Sequence, residues 1–238
     1  MFHFPNEIDW AKFFRFDKRW VENMNWARIT PAAKAVLPVI ACHCNERGQS
    51  FPGEETIAAL SGLTAKSARK GIHDLEGFPG FDWEYYLTRR GKRGKRFLLT
   101  FPQKGIKGRS FFFHRGIIDG GLWRELKPAA RALYPVMRYF SRYDPNEDES
   151  VDDLSDYQEV YANRQWELCS AEGVQLAKYA GIDRRSIPDA MRSLQKNFLI
   201  EPHTDLNSEK VWKVYLIPKK YWKADYLNTK VKTELVSL

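Results

Sequence analysis

Shifting the chain by 97 residues lays Phe16 on Phe113, Trp26 on Trp123, and Pro31-Ala32-Ala33 on Pro128-Ala129-Ala130. It also lays Ala35 on Ala132 and Pro38-Val39 on Pro135-Val136. Eight identities in 24 gap-free positions exceed what composition alone gives. Close substitutions fill the gaps between them: Lys18/Arg115, Val21/Ile118, Glu22/Asp119, Ile29/Leu126, Lys34/Arg131 and Val36/Leu133. Self-similarity at a fixed spacing means that one supersecondary unit is built twice. Each copy is expected to open with a short strand, a turn, a Trp packed beneath a helix, and a helix interrupted by proline. In the first copy that helix should run from Thr30 to Asn45. Thr30 is a good cap and Pro31 suits the first helical position. Val36, Ile40 and Cys44 recur every four residues. Pro38 removes a backbone donor inside the helix, where it costs about 3 kcal/mol in an unperturbed host.

Glu54 to Phe101 carries the functional signal. In ETIAALSGLTAKSARKGIHDL, Ile57, Leu60, Leu63, Ile72 and Leu75 fall at helical spacing on both sides of Gly62,. The pattern reads as helix, tight turn, helix. Thr64 can cap the second helix through its hydroxyl. That helix should expose Lys66, Arg69, Lys70 and His73. Two strands follow, joined by RRGKRGKR, which adds Arg89, Arg90, Lys92, Arg93, Lys95 and Arg96. A recognition-type helix beside a cationic hairpin makes a winged helix, whose natural ligand is a duplex phosphate backbone.

The second copy resumes this motif at an offset of 119, with Gly181 on Gly62, Ile182 on Leu63, Ser186 on Ser67 and Leu194 on Leu75. The change of offset, 22 residues, measures an insertion. Residues 144–163 hold eight acids and no Lys or Arg, so the remaining chain carries +16 against a total of +8. Such a block reads as a solvated loop. The alternative is a face that repels DNA or docks on a basic partner. Pro188 is tolerated if Ser186 caps the second recognition helix, which then begins at Ile187 and leaves Arg184 and Arg185 in the turn. Arg184, Arg185, Asp189, Arg192 and Lys196 are its exposed candidates. Phe198 to Ile217 alternates as a second hairpin, with Asp205 and Glu209 at a tip that is not basic,. Residues 219–238 read equally as helix, interface or frayed end.

The aromatics of residues 1–29 (Phe2, Phe4, Trp10, Phe13, Phe14, Phe16, Trp20 and Trp26) are expected to form core and lid on the first copy. The alternative is that they stack on single-stranded bases beside Lys12, Arg15, Lys18 and Arg19. A pI near 9.3 favours a nucleic acid over an acidic membrane surface,. The three cysteines, Cys42, Cys44 and Cys169, have no framework spacing, which argues for a reducing compartment,. Cys42-His43-Cys44 lacks a second ligand pair, so no metal is expected. The start of the chain has no charged signal-peptide head, and no apolar run approaches a membrane span. A cytoplasmic protein without a membrane partner is expected. Catalytic constellations are missing from the sequence. The five histidines are scattered, and there is neither a Gly-Lys-Ser/Thr phosphate loop nor a Gly-x-Ser-x-Gly elbow,. No cofactor and no enzyme activity are expected.

The run W…(L/I)xPAA(R/K)A leading to ETIAALSGLTAKSARKGIHDLE resembles the winged-helix domains of bacterial plasmid and phage replication proteins. Two such domains in one chain resemble the tandem winged-helix replication initiators. The resemblance implies binding of double-stranded DNA at origin repeats, with recruitment of the host helicase or its loader, in a bacterial cytoplasm on nucleoid or plasmid. The expected fold is α+β and predominantly helical, with tandem winged-helix domains at 1–105 and 106–238, acting as monomer or homodimer. The expected DNA-contacting set is Thr64, Lys66, Ser67, Arg69, Lys70 and His73, the wing residues Arg89, Arg90, Lys92, Arg93, Lys95 and Arg96, and Arg184, Arg185, Ser186, Asp189 and Arg192. A transcriptional repressor would use the same contacts. A protein-interaction module is a further alternative, against which the basic wing weighs.

Overall fold

A computed structural model describes residues 12–87, 91, 93–100, 110–142, 166–205 and 208–219. The boundary near 105, the acidic block 144–163 and the tail from 220 lie outside the described residues, as do Arg89, Arg90 and Lys92. The chain is an α+β mixture in which one order of elements occurs twice, with one extra strand, Ser141–Arg142, in the second half. The first half runs β1 (Phe13–Asp17), α1 (Lys18–Glu22), α2 (Asn25–Arg28), α3 (Pro31–Cys42), β2 (Gln49–Ser50), α4 (Glu54–Ser61), α5 (Ala65–His73), β3 (Phe81–Leu87) and β4 (Arg93–Leu99). The second runs β5 (Ser110–His114), α6 (Gly116–Asp119), α7 (Leu122–Glu125), α8 (Pro128–Phe140), β6 (Ser141–Arg142), β7 (Trp166–Cys169), α9 (Gly173–Ala180), α10 (Ile187–Lys196), β8 (Ile200–Thr204) and β9 (Lys210–Tyr215).

Local chemistry sets these boundaries. Thr30 Oγ1 accepts from the Ala33 amide at 3.2 Å, and Pro31 takes the first helical position,. Helix α3 stops at Cys42, three residues before the expected end. Asn45 competes for the backbone there: its Oδ1 accepts from the amides of Arg47 and Gln49 at 2.9 and 3.0 Å and builds a side-chain turn,. Pro38 and Pro135 both lie inside their helices, and both are buried. In the hairpin, Arg93, Lys95 and Arg96 lie on β4 rather than in the connection between strands. The sheets run β2-β4-β3 and β6-β7-β9-β8, and β1 pairs with β5.

That last pairing corrects the expected place of Phe13, Phe14 and Phe16. They do not cap the first half alone. Phe2, Phe4 and Trp10 lie outside the described residues. Strands β1 and β5 are antiparallel, with Phe14 opposite Phe113, Arg15 opposite Phe112, and Phe16 opposite Phe111. Adding the repeat offset to the first-half partner of a pair and subtracting it from the second-half partner gives a pair of the same ladder: Phe14↔Phe113 becomes Phe16↔Phe111, and Arg15↔Phe112 returns itself. The contact is therefore isologous: each copy offers the same surface to the other, as in a two-fold dimer. The tryptophans obey the same rule. Trp26 Nε1 donates to the Ala132 carbonyl on α8, and Trp123 Nε1 donates to the Ala35 carbonyl on α3, both at 2.8 Å. Each Trp packs beneath the helix of the other copy. Phe13, Phe14, Phe16, Trp20 and Trp26 are all buried, so none offers a ring to single-stranded bases.

Residues of both halves fill one continuous core. It admits two buried cations at equivalent places. Lys34 Nζ donates to the Ala27 carbonyl at 3.3 Å, and Arg131 donates to the carbonyls of Trp123 and Arg124 at 2.9 and 2.8 Å. Each thus serves the C-terminal carbonyls of the short helix before it, which have no intrahelical donor. Cys42 and Cys44 are pushed up to about 12, chiefly by burial, so both remain thiols at neutral pH,. Among the described residues no helix is long and apolar enough to cross a membrane.

Candidate nucleic-acid interface

In the first half, α4 ends where Gly62 turns left-handed at φ 65°. The Gly62 amide donates to Ala59 and the Leu63 amide to Ala58, closing the turn in the manner of a Schellman motif,. Thr64 then caps α5, its Oγ1 accepting from the Ser67 amide at 3.1 Å,. Ala68, Gly71 and Ile72 form the buried face of α5. At Gly71 the helix lies so close to α3 that a Cβ would stand 2.7 Å from the Ala32 carbonyl oxygen. This side chain of nothing sets the depth of α5, and the sequence reading passed over it. The opposite face exposes Lys66, Arg69, Lys70 and His73, as expected.

The exposed cations are not equivalent. Arg69 Nε is held by Glu54 Oε2 at 3.0 Å, and Lys95 Nζ by Glu54 Oε1 at 2.8 Å. Glu54 therefore ties the start of α4 to α5 and to the hairpin. The hydrogen bond from Lys95 first, and then that from Arg69, holds its carboxyl below the usual carboxylate range,. His73 Nδ1 lies 2.8 Å from Glu76. Lys66 and Lys70 have no side-chain partner among the described residues.

On the hairpin, β3 and β4 pair from Phe81↔Leu99 out to Leu87↔Arg93. Phe81, Phe97 and Leu99 are buried and anchor its base. Farther out, the Arg93 guanidinium lies 3.6 Å over the Tyr85 ring and Lys95 Nζ 4.6 Å over Trp83. Arg96 pairs with Glu84. Cation–π contacts at exposed sites contribute about 0.5–1 kcal/mol each. Trp83 and Tyr85 were not among the expected site residues.

The second helix pair repeats the turn. Gly181 is left-handed at φ 62°, and the Ile182 amide donates to Ala177 as Leu63 does to Ala58. The next segment departs from the first half. Arg184–Ser186 forms a 3-10 turn, with Asp183 Oδ1 accepting from the Arg185 amide at 2.7 Å. Helix α10 starts at Ile187, and Pro188 falls in its first turn, where no donor is missed,. Ser186 is the cap residue by position but makes no side-chain capping bond. Arg184 and Arg185 are exposed, with no side-chain partner among the described residues, whereas Arg192 is paired with Asp189. In both halves the C-terminal end of the second helix is tied to the start of the long helix. Thr30 Oγ1 donates to Asp74 at 2.5 Å, and the Lys127 amide donates to Ser193 Oγ at 3.3 Å.

Residues 27–78 match the family model described as a helix-turn-helix domain. The matched segment is a helix-turn-helix domain, a type of unit that suggests DNA binding. The match spans α3, α4 and α5 and ends at Phe78, before the hairpin. No curated protein and no solved structure matches the chain. Within the helix-turn-helix domain, the sites expected on α5 share one exposed face. Of the wing cations, Lys95 is joined to that face through Glu54, whereas Arg93 lies over Tyr85 and Arg96 pairs with Glu84.

Proposed function

We propose that the chain binds duplex DNA in a sequence-specific way through two winged helices, and that it serves as a replication initiator of the plasmid or phage type. The observation that carries the two-reader part is the isologous contact between the halves. It gives a single chain the arrangement that a winged-helix protein otherwise reaches by dimerising. Each half then offers one reading element, α5 with Lys66 and Lys70 exposed, or the Arg184–Ser186 turn and α10 with Arg184 and Arg185 exposed. Because the two elements are related by a two-fold operation, they meet half-sites of inverted orientation. Because the residues differ, the half-sites differ in sequence. No catalytic step is part of this function. The role in initiation rests on the resemblance of the tandem pattern to initiators.

Selection of bound fragments from the source genome or plasmid tests the proposal. Repeats beside an origin support initiation, and a site over a promoter supports repression instead. Failure to enrich any duplex leaves the protein-interaction reading. On the selected site, Arg185→Ala should cost about 1–3 kcal/mol and relax preference at one position of one half-site. Equal losses on selected and random duplex would reassign Arg185 to the phosphate backbone.

A further inference from the structure

The hairpin of the first half carries an apolar side chain where a phosphate-binding loop has no use for one. Leu87 is 75% exposed, the most exposed large apolar residue among those described. It is the last paired residue of β3 and stands opposite Arg93 in the ladder. In sequence it is followed by Thr88, Arg89, Arg90, Gly91, Lys92 and Arg93. A lone exposed leucine usually needs no explanation. This one stands directly opposite a cation, Arg93. The hairpin's base is locked into the core, and Arg93 and Lys95 are stacked on Tyr85 and Trp83 behind it.

We propose that Leu87 is a minor-groove wedge, which enters a base step on one flank of the bound site and bends the duplex there. This rests on the duplex-binding reading above. Two classes of surface accept an exposed leucine: an apolar pocket on a protein and a gap between stacked bases. The cations paired across the ladder from Leu87 and Tyr85, Arg93 and Lys95, decide between them. A duplex supplies anionic rails on both sides of the groove and an apolar slot between them. Minor-groove proteins commonly insert Leu, Ile, Phe or Met at a step and kink the helix by that means. The geometry agrees. With α5 in the major groove, a hairpin beside it crosses one phosphate ridge and meets the adjoining minor groove, which is about 6 Å wide. The second hairpin has Asp205 and Glu209 where the first has cations, and its last ladder pair is Thr204↔Lys210. The wedge therefore acts on one side only, and it gives a two-fold chain a direction on DNA.

The experiment uses the full-length chain and a duplex selected by it from a random-sequence pool. 2-aminopurine replaces each flanking adenine in turn, and end-to-end energy transfer reports the bend. Wild-type protein should raise 2-aminopurine fluorescence at one or two adjacent positions on a single flank. Leu87→Ala should return that signal to the free-duplex level and reduce the bend, while the dependence of affinity on salt stays as in wild type. Leu87→Phe should restore the signal. Because Leu87 is exposed, neither variant should disturb folding, which the melting curve checks. If Leu87→Ala binds, bends and unstacks as wild type does, the wedge is wrong. If wild type binds the duplex with a flat 2-aminopurine profile, the wedge is wrong and duplex binding stands. If wild type retains no duplex, both readings fall. Loss of a protein partner by Leu87→Ala, with DNA behaviour unchanged, would assign the leucine to a protein pocket.

Discussion

Lys34 shows what a buried cation costs this core. Burial lowers it to about 8, below the ordinary lysine value of 10.5,. Between those two values the unfolded chain holds the proton more tightly than the folded one. Its contribution to stability therefore rises with pH across that window, and is lost as pH falls toward 8. Lys34→Met keeps the length and removes the charge. Stability of wild type relative to Lys34→Met, from denaturant unfolding at each pH, should climb between pH 8 and 10.5 and be flat below it. Taking the difference cancels the opposing slope of the buried thiols. A flat difference across the window would show that the amine is solvated. Gly181 is the sharpest steric point at this scale. It needs φ 62°, and a Cβ there would stand 2.0 Å from the Ala27 carbonyl oxygen of the other half. Gly181→Ala combines a left-handed backbone, at about 1–2 kcal/mol, with a clash against main chain. It should lower the melting temperature more than Gly77→Ala, which is equally left-handed but has open space around it.

Among the elements, Glu54 is the hinge between reading helix and wing. It holds Arg69 and Lys95 at once, in a partly exposed place where such pairs contribute about 0–1 kcal/mol to folding,. Its larger effect is on DNA, because it places a negative charge between two cations that face the ligand. Glu54→Gln should leave the melting temperature nearly unchanged and tighten binding to random duplex at low salt. Weaker binding would mean that the strap positions the wing. Spacing could not disclose this carboxylate's second role. An acid at a helix start reads as a partner for the helix dipole, and its partners come from α5 and β4, far along the chain. Periodicity and caps did disclose α4, Gly62, Thr64, the start of α10 at Ile187 and the exposed face of α5. All of these depend on residues within a few positions of one another. The Asn45 turn that shortens α3 was also local, but an Asn at the end of an apolar run looks the same whether it closes a helix or opens a turn. Tyr85 and Trp83 went unread as supports because alternation in a strand gives the face and not the cation above it.

At the scale of the whole molecule, the repeat was legible and its use was not. An offset of 97 matches Trp26 to Trp123 and Ala35 to Ala132, but it is silent on whether each Trp meets its own helix or the other copy's. The structure pairs them across: Trp26 with Ala132, Trp123 with Ala35, β1 with β5, Gly181 against Ala27, and Gly62 against Arg124. A fragment ending at residue 105 would bare the faces of α3 and β1 that α7 and β5 cover, and would strand the buried indole donor of Trp26. An unmade buried donor costs about 1–3 kcal/mol, and each uncovered large apolar side chain about 1.5–3 kcal/mol. Several such losses reach the 5–15 kcal/mol that holds an ordinary domain together. Fragments 1–105 and 106–238 should therefore each lack a cooperative melt when purified alone. Mixed at equal concentration they should recover one, with a midpoint that rises with concentration, as for any association of folded partners. DNA binding should return only in the mixture. Circular dichroism melts and gel shifts of the separate and mixed fragments decide the matter. A cooperative melt from either fragment alone would show that the halves are independent domains, and that the crossed tryptophans fasten them together without being needed to fold them.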